Sequence, residues 1–156
     1  MKFKESETVE LKKSTSELKE AVVAISAILN KHGKGKVYFG IKNDGFIVGQ
    51  DIGKDTLREI SRASFDNIEP KIFPSITARK IKGKMCLIVI FSGSAAPYFA
   101  YGRAYMRVGD ENRQLSAREL ERLFLIRQRE AARWEVLSSN KKISEINAKI
   151  LIISSP

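Results

Sequence analysis

Residues 30–50 read NKHGKGKVYFGIKNDGFIVGQ, a glycine-rich stretch that decides how the chain folds. A periodic apolar segment ends at Asn30, and Gly33 and Gly35 then allow the backbone to bend sharply. Two short apolar runs follow, at residues 37–39 and 46–48, separated by an Asn-Asp-Gly turn of residue types that tolerate positive φ. The stretch therefore predicts a helix, a glycine turn and a β-hairpin, and we take this unit as the centre of one domain.

Hydrophobic periodicity predicts the remaining elements. Apolar residues at steps of three and four from 18 to 29 predict a first helix, begun by a capping box at Ser14 and Glu17. A third helix starts from a second capping box, Ser116 with Glu119, and extends through residue 133 or beyond. The other predicted elements are strands at 8–12, 75–80, 85–91 and 104–108, a helix at 56–66 and a polar turn at 109–113.

This pattern predicts an α+β fold with the order β-α-β-β-α-β-β-β-α, in which a mixed sheet of about six strands packs with three helices. The length of 156 residues suits one main domain, which we place at residues 1–133. Residues 134–156 are expected to be a partly helical C-terminal extension. Within it, Ile143, Ile146 and Ile150 recur at helical spacing and could belong to an interface.

Composition restricts the classes of function. The single cysteine, Cys86, cannot form an internal disulfide, and one cysteine with one histidine excludes a zinc site built from those ligands. No apolar run is long enough for a transmembrane helix, and the charged N-terminus lacks a secretory signal, so we expect a cytoplasmic protein. Lys and Arg number 28 against 18 Asp and Glu, a net charge of +10, which favours a polyanionic partner.

Residues 5–12, ESETVELK, resemble the opening motif of the Schlafen AlbA-like domain family, also described as a divergent AAA-associated domain. The glycine-rich stretch, the segment AYMRVG at 104–109 and the helix start SARE at 116–119 follow in the order typical of that family. The resemblance covers about residues 5–125 and implies an AlbA-like, Schlafen-core-like fold. Three positions depart from the pattern: the glycine turn is one residue longer, Leu11 replaces a phenylalanine, and Lys42 and Asn43 occupy places where an acid is usual.

The resemblance implies a nucleic-acid-binding module, with DNA preferred over RNA, in a non-catalytic transcriptional regulator that needs no cofactor. A glycine turn lets backbone N–H groups approach phosphate, and flanking cations supply charge. Tyr98, Tyr101 and Tyr105 could stack on exposed bases. The candidate nucleic-acid-binding residues are Lys12, Lys13, Lys34, Gly35, Lys36, Arg103, Arg107 and Arg113.

Two alternatives remain open. Nuclease members of the resembled family imply a metal-dependent ribonuclease in which Glu5, Glu10 and Asp44 hold Mg²⁺ or Mn²⁺. The second alternative is an interaction protein, because the helix from residue 116 and the Ile-rich tail carry enough apolar surface for a homodimer. A nucleotide-binding P-loop is excluded, because Gly33-Lys34-Gly35-Lys36 lacks the required spacing and follows a helix instead of preceding one.

Overall fold

The structure, a computed structural model, describes residues 2–153, which form three α-helices and eight β-strands. The predicted α+β class is confirmed, whereas the strand count is eight and not about six. The helices are α1 (Leu18–His32), α2 (Thr56–Asn67) and α3 (Ala117–Ile153), with a short 3-10 turn at Thr15–Glu17 before α1. The strands are β1 (Val9–Lys12), β2 (Lys34–Phe39), β3 (Ile68–Glu69), β4 (Ser75–Ile81), β5 (Lys84–Ser92), β6 (Phe99–Ala100), β7 (Arg103–Val108) and β8 (Glu111–Gln114).

The strands form two four-stranded sheets. The first sheet has the order β1-β2-β5-β4, with β1 parallel to β2 and the other pairs antiparallel. The second sheet has the order β3-β6-β7-β8 and is antiparallel throughout. In the first sheet, the apolar run of β5 is central and its residues 86–89 are buried, as a strand covered on both faces requires.

Helix α1 lies between the two sheets and is buried on most of its surface. Its residues Val22, Ile25 and Ile28 share one core with Val37 and Phe39 of β2. The second sheet is attached from the other side by a buried amide, since Asn30 donates to the carbonyls of Tyr98 (2.9 Å) and Tyr105 (2.7 Å). Apolar burial and this polar bridge together fix the helix against both layers.

Two glycines carry the change from helix to strand. Gly33 adopts φ 71° as the left-handed C-cap of α1, and its N–H donates to the Leu29 carbonyl at 3.0 Å. Gly35 lies within β2, where an added Cβ would come within 2.8 Å of Thr8 O and 2.7 Å of the Ile28 side chain. The predicted glycine turn is thus a single-residue cap followed at once by the strand.

Two local predictions were wrong. Residues 46–48 form a loop joined to the sheet by a single bridge between Ile41 and Ile47, so the predicted hairpin has only one true strand. Residues 109–113 were predicted as a turn, but only Gly109 and Asp110 turn, and the chain then returns as β8. In both places the sheet partner, which local pattern does not reveal, decided whether a strand formed.

The chain divides into two compact units, Met1–Leu120 and Glu121–Pro156. The first unit contains both sheets, α1 and α2, and the second consists of α3 beyond residue 120. None of the helices formed by residues 2–153 is both long and apolar enough to cross a membrane. Residues 154–156 of the predicted C-terminal extension lie outside the described residues.

Candidate nucleic-acid interface

The face of the first sheet that points away from α1, here called the outer face, carries exposed cations beside a small buried apolar cluster around Leu11 and Cys86. Side chains alternate across a strand, and Val37 and Phe39 of β2 point into the core, so Lys34 and Lys36 point outward. The pairings of Lys36 with Ile90 and of Arg79 with Cys86 place Arg79 and Lys84 on the same face. All four cations are exposed, and none forms an ion pair with any residue in the range 2–153.

A shallow groove runs across one end of the outer face. Its volume is about 530 Å³, and the ammonium-bearing side chains of Lys34 and Lys36 line it. The remaining lining combines hydroxyl groups with apolar side chains, including Thr8, Ser92 and the 45% exposed Ile90. Cations beside an apolar floor can hold phosphates while sugars or bases lie against carbon.

A second cationic cluster lies at the other end of β5. Phe46, at the tip of the loop after Ile41, is 60% exposed, and the Lys42 and Lys84 ammonium groups lie 5.7 and 5.6 Å from its ring centroid. The sequence pattern predicted Phe46 within a strand, and these three residues were not among the predicted binding residues. The available signal was an aromatic residue directly after an Asn-Asp-Gly turn, a position that points a ring toward solvent when no second strand forms.

Negative charge is nearly absent from the first sheet. Its four strands contain six Lys or Arg residues and one carboxylate, Glu10. Glu10 is 4% exposed, and its two oxygens pair with Lys12 Nζ and Arg107 Nη1, both at 2.6 Å. The single acid of the sheet is therefore neutralised within the fold, and the outer face keeps its positive charge.

Arg107 and Lys12 were predicted to contact nucleic acid, but the structure buries both side chains. The Arg107 side chain is fully buried, and besides Glu10 it donates to Asn112 Oδ1 (2.8 Å) and to the carbonyls of Ser6 and Val9 (2.9 and 3.2 Å). Lys12 is 8% exposed and is held by Glu10. The Arg107 guanidinium joins β7 to β1 through Glu10, whereas Lys12 pairs with Glu10 within β1. Burial leaves Arg107 no surface for a ligand.

The other predicted cations are exposed but dispersed. Lys13 directly follows β1. Arg103 donates to Gln114 at 3.2 Å, and Arg113 pairs with Glu119 at 3.3 Å. Strand alternation puts Arg103 and Arg113 on opposite faces of the β7–β8 hairpin, because Arg113 pairs with Met106. Of the predicted set, the structure brings only Lys34, Gly35 and Lys36 together in one groove.

Gly35 and the tyrosines have mainly packing roles. Gly35 has no room for a side chain, which explains the glycine without any ligand. Tyr98 is 2% exposed with its hydroxyl accepting from the Ala95 N–H at 3.0 Å, and Tyr105 packs against the main core. Tyr101 is 38% exposed, with the Lys19 ammonium 5.4 Å from its ring. Among these three tyrosines, Tyr101 presents the largest open surface.

The three acids of the nuclease hypothesis do not converge on one point. Burial, followed by the charge of Glu10, raises the pKa of Glu5 above its ordinary value, so these two carboxyls are neighbours. Asp44 is exposed in the loop and accepts from the Phe46 N–H at 2.9 Å. Within residues 2–153 no three His, Cys, Asp or Glu side chains lie close enough to hold a metal ion. With Glu10 engaged by two cations, these residues do not fit a divalent cation site.

Comparison with known proteins agrees with the resemblance noted in the sequence. A family model described as "Schlafen, AlbA_2" matches residues 5–116, which confirms the suspected family. No curated protein matches the chain in sequence.

Two solved structures resemble the fold. The DIP2311 protein of Corynebacterium diphtheriae superposes with a TM-score of 0.58 at 19% identity, covering 70% of this chain and 22% of that one. The N-terminal domain of a putative ATP-dependent DNA helicase RecG-related protein from Nitrosomonas europaea gives a TM-score of 0.50 at 19% identity, covering 70% and 79%. At this identity the two likenesses establish the fold alone, and the chain spans about a fifth of the first protein.

Proposed function

This chain belongs to the Schlafen AlbA_2 family, and we propose that it is a non-catalytic module that binds nucleic acid through the outer face of its first sheet. The observation that carries the proposal is the pair Lys34 and Lys36, exposed side by side in a groove without acidic partners among the described residues. Unpaired cations in a concave surface concentrate the attraction for a phosphate backbone.

The spacing of charge along the face supports an extended ligand. Lys36 pairs with Ile90, and Lys84 lies six residues earlier on β5, which is roughly 20 Å at about 3.3 Å per residue. The groove therefore holds one end of a strand of nucleic acid while Lys84, Lys42 and Phe46 are available at the other. Phe46 can stack on an unpaired base, and the two ammonium groups beside it can contact the adjoining phosphates.

The distribution of charge favours contacts with the backbone over contacts with base edges. The candidate contacts on the outer face are Lys and Arg side chains on strands. Such contacts position a duplex or a single strand without specifying its sequence.

We propose that the preferred ligand is DNA and that the chain acts in a cytoplasmic transcriptional regulator. We also propose a homodimer, the simplest assembly that would gain avidity by presenting two basic faces.

The test reverses the charge of the groove. The double variant Lys34→Glu with Lys36→Glu should bind labelled 20-nucleotide DNA at least tenfold more weakly than the wild-type chain in fluorescence anisotropy. Because each lost phosphate contact removes about 0.7–0.9 from the slope of log affinity against log salt, the slope should fall by roughly 1.5. Single-stranded and duplex DNA and RNA, titrated in parallel, identify the preferred form.

A matched control changes the same charge elsewhere. Lys54 and Arg62 are exposed before and within α2, which packs on the inner side, so Lys54→Glu with Arg62→Glu should alter binding much less. Equal losses in the two double variants would mean that net charge alone drives binding and would overturn the proposed groove. A wild-type chain that binds none of the four nucleic acids would refute the function itself.

A further inference from the structure

The second unit carries an apolar stripe along α3, here called the seam, with residues that repeat every seven positions. The contacts described so far do not involve this seam. From residue 121 onward α3 is a single helix with no buried residue. Five of its apolar side chains, at 136, 143, 146, 150 and 153, are between 56% and 83% exposed. A long exposed helix with an apolar stripe lacks the packing that normally stabilises helices in water.

The spacing of the stripe is that of a coiled coil. Ile143 and Ile150 lie seven residues apart, with Ile146 and Ile153 three residues after each, so they occupy positions a and d of consecutive heptads. Val136 continues position a one heptad earlier. A strict repeat of 3.5 residues specifies packing against another helix with the same repeat, whereas a helix lying on a globular core follows a wider stripe.

The seam is distinct from the other apolar residues of the helix. Trp134, Leu137 and Leu151 fall on a second stripe, but Lys141 and Ser144 interrupt it at the intervening positions. On the seam itself, the two d positions nearer the N-terminus hold the small residues Ala132 and Ser139, so every a and d position from 132 to 153 is uncharged. This uncharged seam is about 33 Å long at 1.5 Å per residue.

We propose that the helix from Ala132 to Ile153 associates with the same segment of other copies of this chain as a parallel coiled coil. In the parallel arrangement, Lys142 at position g faces Asn147 at position e of the next copy, and Glu135 faces Asn140, so no like charges meet. In the antiparallel arrangement that aligns the seams, Lys142 would face Lys149 of the other copy. The flanking charges thus select copies of this helix in parallel orientation.

The residues of the seam also bear on the number of chains. Isoleucine at both a and d, as in the last two heptads, favours three strands over two. The inference deepens the proposed self-association and is independent of the proposed nucleic-acid binding, because the seam lies in the second unit and its assembly requires no nucleic acid. Association would join several basic faces in one particle. Assembly and DNA binding can nevertheless fail separately: a chain that does not bind DNA can still assemble, and a monomeric chain can still bind DNA.

The test compares two substitutions of equal exposure. Ile146 at position d and Leu137 at position b are 56% and 54% exposed in the single chain. Sedimentation velocity and light scattering on the whole chain should find a dimer or trimer for the wild type and for Leu137→Asp. Ile146→Asp should weaken association by roughly 100-fold or more, because each copy would bury an unpaired carboxylate in the seam.

Orientation is tested by cross-linking. Ser139→Cys at position d should form an intermolecular disulfide under mild oxidation, because the two thiols meet across a parallel seam, whereas Ser138→Cys at position c should not. Circular dichroism and thermal melting show whether the first unit stays folded in every variant. The proposal would be overturned by a monomeric wild-type chain or by equal effects of Ile146→Asp and Leu137→Asp on association. Binding of a monomeric chain to lipid vesicles, measured by co-sedimentation, would also overturn it, because the stripe would then contact lipid and not another helix.

Discussion

Arg107 is buried in the first unit with every nitrogen of its guanidinium bonded to protein. Nη1 reaches Glu10 and Asn112, while Nε and Nη2 both reach the Ser6 carbonyl at 3.1 and 2.9 Å. A planar group with five donors suits this set of oxygens, and a lysine ammonium does not. The residue therefore serves the fold, and it connects the segment that opens the chain to β7 and, through Asn112, to β8 of the second sheet.

Replacing Arg107 should destabilise the protein strongly. We expect Arg107→Ala to lower the free energy of unfolding by about 3–5 kcal/mol, because Glu10 keeps only Lys12 as a partner and its charge stays buried. Urea denaturation followed by circular dichroism measures the change. Arg103→Ala is the matched control in the same strand, and as an exposed substitution it should change the free energy by less than about 1 kcal/mol. Similar losses for the two variants would contradict the buried network.

At the scale of elements, the approach of β2 to α1 determines how the core closes. The first strand of the hairpin predicted at residues 30–50 begins directly after the helix cap, and Gly35 lets it pass against Ile28 and Phe91.

The start of α3 is determined by neighbouring residues alone, through the capping box at Ser116. The Glu119 N–H donates to Ser116 Oγ at 3.2 Å and the Ser116 N–H donates to Glu119 Oε2 at 2.7 Å, so that prediction is confirmed.

Adding one methyl group at Gly35 should test the helix–strand contact. We expect Gly35→Ala to lower the free energy of unfolding by about 1–3 kcal/mol, since the new Cβ would meet Ile28, Phe91 and the Thr8 carbonyl at under 3 Å. Gly53→Ala is the control, because the nearest atom there is 3.5 Å away and the loop has room. A melting temperature lowered equally by both changes would contradict crowding at Gly35 as the cause.

For the molecule as a whole, a small set of polar contacts ties distant parts together. Glu7, near the start of the chain, contacts Lys31 (2.8 Å) and His32 (2.7 Å) at the end of α1 and accepts from the Gly109 N–H (2.7 Å) after β7. The His32 ring, followed by the Lys31 ammonium and the Gly109 N–H, lowers the pKa of Glu7 to about 2. Folding is therefore linked to the ionisation of this carboxylate.

The linkage predicts how stability responds to acid. Because the pKa of Glu7 is about 2 in the folded chain and 4.5 in its reference state, its contribution is full above pH 4.5 and is lost as the pH falls toward 2. Thermal melts of the wild type and of Glu7→Gln should therefore differ at pH 6 and converge over that interval. A difference in melting temperature that stays constant from pH 6 to pH 2 would mean that Glu7 is not the group responsible.

The sequence by itself determined the α+β class, the family and the start of α3. These features depend on periodicity, capping residues and ordered motifs, which are local and are written along the chain. It also selected Lys34 and Lys36 as cations beside a glycine turn, although the structure places both in β2. The capping box predicted at Ser14 and Glu17 was wrong, because Ser14 Oγ accepts from the Ser16 N–H and Glu17 accepts from the Lys13 N–H.

Only the tertiary structure decided which cations remain at the surface and which strands form. Arg107 and Lys12 resemble the other basic residues in sequence, yet both are buried in ion pairs with Glu10. Residues 46–48 form a loop because only one bridge, between Ile41 and Ile47, joins them to the sheet. Burial and strand pairing depend on partners up to a hundred residues away, so a local pattern cannot predict them.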